Sequence, residues 1–377
     1  MPTGDAPTLL FLAPSAKFFL SHRAAIGRAA IADGFSVVVA CPRDDDSRGL
    51  EALGMVHVAI PLSRSGNSPW GEARTLWSVW RAFRRVSPSI AHLITAKPAL
   101  HGGLAGRFTG TPTVTAVTGL GHLFIRTDWR ARAARAVLLF AYRLGLRRSS
   151  NHFIFQNSDD QETFRSFGLL AHSDATILPG SGVDLERITP APLPSGNPVV
   201  LMPSRMLADK GVWEFVEASR LLATRGINAR MRLLGDPDAE NPTSLTLEEL
   251  QGIPHNSPTE WQPHTADIAA ALAEATIVVL PSYREGFPKT LIDAAAAGRA
   301  MVATDVQGCR DAIVAGETGL LCRVRDAGSL ADQIATLLTE PGLAAAMGQA
   351  ARKNAVARFD LQKIIAAHLA LYRRYRR

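Results

Sequence analysis

The fold of this chain is limited above all by an alternation of two kinds of segment. Short apolar runs of strand length recur with longer, Ala-, Leu- and Arg-containing segments of helical length between them. In the first half the runs are TLLFLAP, FSVVVAC, SIAHLIT, TPTVTAV and NHFIFQN; in the second they are NPVVLMPS, NARMRLLG, ATIVVLPS and RAMVATD. A strand that is apolar along its whole length is covered on both faces. Strands that alternate with helices build parallel sheets sandwiched between helices. The expected fold class is α/β, with two Rossmann-like, doubly wound parallel-sheet domains. A length of 377 residues suits two domains, and a hydrophobic content of 47% is enough to fill their cores.

The stretch PAPLPSGNP, Pro190–Pro198, is the strongest linker signal and divides the chain into halves of similar size. It also divides the charge. Residues 1–190 carry 21 Lys/Arg against 14 Asp/Glu and residues 191–377 carry 20 of each, so the net charge of +7 lies in the first half. A basic half suggests an anionic partner or, equally, an Arg-rich solvated surface. No apolar run reaches the roughly 18–20 residues of a membrane span. The first apolar stretch has no preceding Lys or Arg and reads as a buried strand, not a signal peptide. Three widely separated cysteines, Cys41, Cys309 and Cys322, fit neither a disulfide framework nor a zinc knuckle and suit a reducing compartment.

Open α/β sheets bind ligands at the carboxyl ends of their strands, so a cleft between two such domains is the expected site. A dinucleotide fold fails its own test, since AKFFLSHR after the first strand has no glycine, and no GxxxxGK is present. The most informative stretch is PSYREGFPKTLIDAAAAGRAMVATD, residues 281–305. A strand ends, Pro288 opens a helix and Gly298 closes it. That helix offers free amides and a positive dipole end, a seat for a diphosphate. Gly286 permits close backbone approach. Glu285 and Asp293 can accept hydrogen bonds from sugar hydroxyls, which suits a nucleotide sugar; the plainer reading is a loop acid and a surface helix Asp. Upstream, Arg205 and Lys210 follow the strand VVLMP and can clamp a diphosphate, or be two solvated cations.

Nearly the whole chain resembles the family 4 glycosyltransferases. The resemblance is carried by FLSHR (19–23), AHLITAKPALHGGLAGRFTGTPTVTAVTGLGHLF (91–124), HFIFQNSDD (152–160), LPGSGVDL (178–185) and PSRMLADKGV (203–212). It continues in EWQPH (260–264), PSYREGFP (281–288), ATDVQGCRDAIVAGETGLL (303–321) and MGQAARKNA (347–355). It implies a GT-B fold, retention at the transferred sugar and no metal or other cofactor. It further implies an acceptor-binding domain over 1–190, a nucleotide-sugar domain over 191–360 and a helix over 361–377 that returns to the first. By the same resemblance Arg205 and Lys210 hold the donor diphosphate, and Glu285 binds a donor-sugar hydroxyl. The backbone at Gly286 and Phe287 meets phosphate or sugar, Asp293 binds the ribose, and the loop from Trp261 to His264 flanks the base. Two departures stand out. Asp293 replaces the usual Glu, about 1.5 Å shorter, and Pro263 replaces a usual Gly, removing one N–H.

The implied reaction moves a hexose or N-acetylhexosamine from a UDP-linked nucleotide sugar to a polyprenyl-diphosphate-linked saccharide acceptor in polysaccharide assembly. A GDP-sugar donor, a soluble acceptor and a catalytically weak sugar-nucleotide-binding scaffold are the alternatives, with a sugar-nucleotide epimerase further behind. His122, after TAVTGLG, is a candidate for positioning donor sugar or acceptor, or a packed loop histidine; His101 reads as structural. The run Asp44 to Asp46 reads as an exposed loop, not a metal site. Residues 126–148 mix arginines, Arg130, Arg135, Arg143 and Arg147 among them, with Leu138, Leu139 and Phe140. Such a helix can lie on an anionic membrane or bury its apolar stripe in the core. A second basic-aromatic segment holds Trp70, Trp77, Trp80 and Phe83. No nucleic-acid recognition module accompanies either. The expectation is a cytoplasmic protein, peripheral at the inner face of the cell membrane.

Overall fold

A computed structural model describes residues 6–62, 68–118, 129–239 and 241–375. The chain forms two compact units, 1–181 with 362–377, and 182–361.

The first unit is a seven-stranded, all-parallel sheet in the order β3-β2-β1-β4-β5-β6-β7. Its strands are β1 (Thr8–Leu12), β2 (Ser36–Cys41), β3 (Val56–Ala59), β4 (Ile90–Ile94), β5 (Thr113–Val117), β6 (Asn151–Phe155) and β7 (Asp174–Ile177). The helices between them are α1 (Ala16–His22), α2 (Ala24–Ala32), α3 (Ser47–Ala52), α4 (Pro69–Val86), α5 (Ala96–Thr109), α6 (Trp129–Leu146) and α7 (Ser158–Ser166). The central strands β1, β4, β5 and β6 are buried along their full lengths, as uniformly apolar runs require. One face packs Phe11, Phe19, Phe35 and Tyr372; the other packs Val79, Phe83, Phe153 and Phe155. Asp44 is a local brace, accepting from the Ala16 amide at 3.1 Å and the Ser47 hydroxyl at 3.0 Å.

The second unit repeats the plan with six parallel strands in the order β10-β9-β8-β11-β12-β13. They are β8 (Val199–Pro203), β9 (Arg230–Leu234), β10 (Thr259–Gln262), β11 (Ile277–Leu280), β12 (Ala300–Thr304) and β13 (Gly319–Cys322). The helices are α8 (Val212–Thr224), α9 (Leu247–Asn256), α10 (Ile268–Glu274), α11 (Lys289–Ala296), α12 (Gln307–Ala312), α13 (Ala327–Thr339) and α14 (Pro341–Arg358). The last helix, α15 (Leu361–Arg373), belongs almost wholly to the first unit. Its His368, Leu371 and Tyr372 are buried, and Arg373 pairs with Asp33 at 2.5 Å.

The change of unit falls at 181–182, ahead of the proline stretch. Val183 and Ile188 sit in the second core, and Arg299 donates to the Pro192 carbonyl at 3.2 Å. Proline density marks where regular structure stops; it carries no information about which unit the irregular chain lies against. In both sheets the strand order reverses beside the first strand, between β1 and β4 and between β8 and β11. In such sheets the crevice at that reversal is the ligand seat.

Candidate active site

In the second unit the two loops that leave the reversal point carry the charged residues singled out above. The loop after β8 holds Arg205 and Lys210, and the loop after β11 holds Glu285. Lys210 Nζ donates to Glu285 Oε1 at 2.5 Å, and their side chains are 21% and 11% exposed. Arg205 does not join them. It pairs with Asp238, on the loop after β9, at 2.6 Å and is 56% exposed. The sequence motifs did not point to Asp238; its partner lies 33 residues away across a sheet neighbour.

Backbone contacts fix the two loops to one another. The Tyr283 amide donates to the Asp209 carbonyl at 2.9 Å. Gly211, at φ +81°, presses so closely on Pro281 that a Cβ would stand 2.3 Å from its carbonyl oxygen. The Tyr283 hydroxyl donates to Glu214 at 2.7 Å, and Arg325 lies over its ring at 4.5 Å. Burial, then Glu214, pushes the phenol up to about 12, so it stays a donor. Gly308, in α12, seats the same loop from below. A Cβ there would lie 2.5 Å from the Gly286 carbonyl oxygen and 2.7 Å from that of Glu285. The sequence carried no distinct signal for Gly308, because a glycine inside a helix tip has no turn to explain it.

Pro288 caps α11 from outside its first turn, and Gly298 follows the helix at φ +70°. Thr290 ties the first turn to the Pro203 carbonyl at 3.0 Å. The free amides of this helix therefore start where the Glu285 loop ends. Asp293 is buried, and both its oxygens accept from Lys289 Nζ, at 2.7 and 2.9 Å. Burial pushes the Asp293 carboxyl up; Lys289 and then Arg187 act against that rise. The pairing has ordinary i,i+4 helical spacing.

Phe287 turns its ring edge-on to Phe359 at 5.5 Å, so its side chain anchors the loop. Trp261, the penultimate residue of β10, donates from Nε1 to the Gly235 carbonyl at 3.0 Å. The His264 amide donates to Asp236 at 2.9 Å, while its side chain lies in an exposed loop. Gly235 itself touches the Ser204 carbonyl, with 1.9 Å to a built Cβ. The loops after β8, β9 and β10 thus form one hydrogen-bonded platform.

The first unit has its own strand-end group. Thr95, between β4 and α5, holds φ +76°, which a non-glycine residue adopts only under constraint. His101 Nε2 meets Glu72 at 2.9 Å, and Lys97 meets the same carboxylate at 3.0 Å. Burial pushes the His101 imidazole down; the Glu72 carboxyl, raised by burial, is pulled lower overall by Lys97 and His101. His101 is thus a packed, bonded histidine. His122 and the side chain of Arg130 lie outside the described residues.

Helix α6 does two jobs. Leu139, Tyr142 and Leu146 enter the core, and Leu138 packs against it. Val137, Phe140 and Leu144 stand at 69%, 67% and 42% exposure. Arg143 and Arg147 are exposed and Arg135 is half-buried; Arg143 donates to the Phe167 carbonyl at 3.0 Å. On α4, Trp70 and Trp77 are exposed, with Arg81 over the Trp77 ring. No helix among the described residues is long and apolar enough to cross a membrane.

Two parallel-sheet α/β units of this kind define the GT-B class of fold, and solved structures match it. Sucrose-phosphate synthase from Thermosynechococcus elongatus superposes with a TM-score of 0.80 at 18% identity, over 98% of both chains. Anabaena HepE in complex with UDP-glucose gives 0.75 at 19% identity, over 96% of this chain and 99% of that one. The model "Glycosyltransferase Family 4" matches residues 22–187, and "Glycosyl transferases group 1" matches 186–354. Joined end to end they span most of the chain, which belongs to the family 4, group 1 glycosyltransferases. It is 28% identical over 352 residues to the N,N'-diacetylbacillosaminyl-diphospho-undecaprenol alpha-1,3-N-acetylgalactosaminyltransferase of Campylobacter jejuni, covering 90% of this chain and 91% of that one. It is 27% identical to the capsular polysaccharide biosynthesis glycosyltransferase CapM of Staphylococcus aureus, over 45% of this chain and 44% of CapM.

Proposed function

We propose that this glycosyltransferase moves a hexose or N-acetylhexosamine, with retention and without a metal, from a UDP-sugar to a polyprenyl-diphosphate-linked saccharide at an anionic membrane surface. The observation that carries the reading is the Lys210–Glu285 pair on the two loops that leave the reversal point of the second sheet. Across the two loops the cation and the carboxylate neutralise each other. When a donor enters, Lys210 exchanges the carboxylate for the diphosphate, and Glu285 is released to accept a sugar hydroxyl. Arg205 leaves Asp238 in the same way. The α11 amides add a positive end to the leaving group.

In this reaction the bond from the anomeric carbon to the donor phosphate oxygen breaks. The bond to the acceptor oxygen forms on the same face, and the acceptor proton passes to the departing phosphate. The enzyme supplies position and electrostatics, with no covalent nucleophile. The choice of acceptor follows the Campylobacter relative's printed activity, and the choice of UDP follows the HepE complex. The membrane surface is suggested by the exposed apolar residues of α6, which also carries Arg135, Arg143 and Arg147, and by the exposed Trp70 and Trp77 of α4 with Arg81, a composition that suits anionic lipid.

The test is a panel of UDP- and GDP-sugars against extracted lipid-linked acceptors, with product masses and anomeric configuration read out and EDTA present in one arm. A product one sugar heavier, formed from a UDP-sugar with its configuration kept and in EDTA, is the expected result. Donor binding with no product on any acceptor would refute the enzyme reading.

A further inference from the structure

The loop that carries Glu285, residues 281–288, is joined to the β8 side of the sheet by more than the Lys210–Glu285 pair. Tyr283, two residues before Glu285, reaches the same side twice. Its amide donates to the Asp209 carbonyl at 2.9 Å, and its hydroxyl donates to Oε1 of Glu214, in the first turn of α8, at 2.7 Å. A carboxylate acceptor makes that bond of the stronger, charge-assisted kind. The other oxygen, Glu214 Oε2, is buried and has no partner among the described residues. An apolar side chain would fill the place without that cost, so the phenol is the partner that gives the carboxylate its purpose. The ring is held on its face by Arg325, whose guanidinium lies 4.5 Å away. Arg325 itself takes φ +57°, the left-handed region that a residue with a Cβ enters only where its surroundings demand it.

On the nucleotide-sugar reading, on which this inference rests, the Lys210–Glu285 pair opens when a donor enters. The two contacts of Tyr283 involve neither of those side chains and persist. We infer that Tyr283 is a positioning residue: its hydroxyl, held by Glu214, fixes the backbone ahead of Glu285 so that the released carboxylate stays aimed at the donor sugar. A carboxylate on an unanchored loop has to lose its freedom in each turnover, and that loss appears in the rate.

The experiment measures kcat with the UDP-sugar and lipid-linked acceptor that give product in the panel above, beside calorimetric binding of UDP, which has no sugar for Glu285 to meet. It uses the full chain, Tyr283→Phe, Glu214→Leu, Glu214→Gln, Glu285→Ala and the Tyr283→Phe/Glu285→Ala double variant. Tyr283→Phe keeps the ring beside Arg325 and removes only the hydroxyl. It should lower kcat roughly 10-fold or more, the scale of one charge-assisted hydrogen bond, with the Kd of UDP within about 3-fold. Glu214→Leu should match it, and Glu214→Gln, which keeps an oxygen acceptor, should keep most of the turnover. In the Glu285→Ala background Tyr283→Phe should cost less than about 3-fold more, since it acts through that carboxylate. An unchanged kcat in Tyr283→Phe would overturn the inference. So would a parallel loss of UDP affinity, or the same loss of kcat in the Glu285→Ala background, either of which makes the contact merely structural. If the unsubstituted chain gives no product in the panel, the functional reading falls and takes this one with it. Thermal melting of each variant separates lost positioning from lost fold.

Discussion

Both units are parallel sheets reversed beside their first strand, yet the strand-end cations of the second stand in a different setting from the polar group that the first packs under α15. In the second unit the cations at the strand ends are paired and partly open to solvent: Lys210 with Glu285, Lys289 with Asp293, Arg205 with Asp238. In the first unit a polar group is sealed between the sheet and α15. Arg23 is 3% exposed and, among the described residues, its Nε has no partner. The His92 Nδ1 meets the Tyr372 hydroxyl at 2.6 Å and His368 bonds the Ile364 carbonyl at 2.8 Å; neither Nε2 has a partner among the described residues. A charge that can exchange its partner is poised for a ligand. A charge buried without a counter-ion costs stability and holds its place only because the surrounding packing leaves it no alternative.

That contrast can be broken most decisively at Glu285. Glu285→Ala should reduce transfer by more than 100-fold with the melting temperature nearly unchanged; full activity would move the site elsewhere. Gly308→Ala is expected next. Its methyl group must displace the Glu285 and Gly286 carbonyls, so kcat/KM should fall roughly 10- to 100-fold while nucleotide-free stability drops by about 1–3 kcal/mol. Steady-state kinetics beside a melting curve checks both halves. Lys210→Met and Arg205→Met should each cost on the order of 10- to 100-fold in kcat/KM. The loss should be larger for Lys210, whose partner is Glu285, and equal losses would deny the distinction drawn between the two cations.

The first unit is tested with acid. Burial first, then Arg23, pushes His368 down to about 3; burial, then His368 and Arg23, pushes His92 well below its ordinary value. The unfolded chain takes up these protons near pH 6.5, whereas the folded chain resists them. Stability is thus full above pH about 6.5 and declines as pH falls toward 3, by on the order of several kcal/mol. Melting temperatures from pH 7 to pH 4 should show the decline, and His368→Leu should make it shallower; an unchanged slope would assign the acid sensitivity to other groups. The smallest effect belongs to the surface. Phe140→Asp should lower sedimentation with anionic liposomes and move stability by less than about 0.5 kcal/mol. Leu139→Asp should unfold the unit, because Leu139 is core.

What the sequence disclosed follows from this burial pattern. The nine apolar runs correspond to β1, β2, β4, β5, β6, β8, β9, β11 and β12. The strands that they do not announce are β3, β7, β10 and β13, which are the edges of the two sheets. An edge strand is covered on fewer sides, so VHVA, DATI and TEWQ need no apolar run. The strand-end motifs name Lys210 and Glu285, and the structure brings those two side chains together. No motif points to a partner that comes from another loop, as with Asp238, or to a requirement for empty space, as with Gly308. The change of unit falls ahead of the proline stretch for the related reason that composition reports irregular chain but not its neighbours.

The return of α15 also sets an order of assembly. Phe11, Phe35 and His92 wait for Tyr372, which is made 280 residues after His92. The sheet made first is therefore completed only after the second unit has been made. Until α15 emerges, that sheet offers an unsealed apolar face to the surrounding cell. A chain cut ahead of Tyr372 would lose the seal over Phe11, Phe35 and His92.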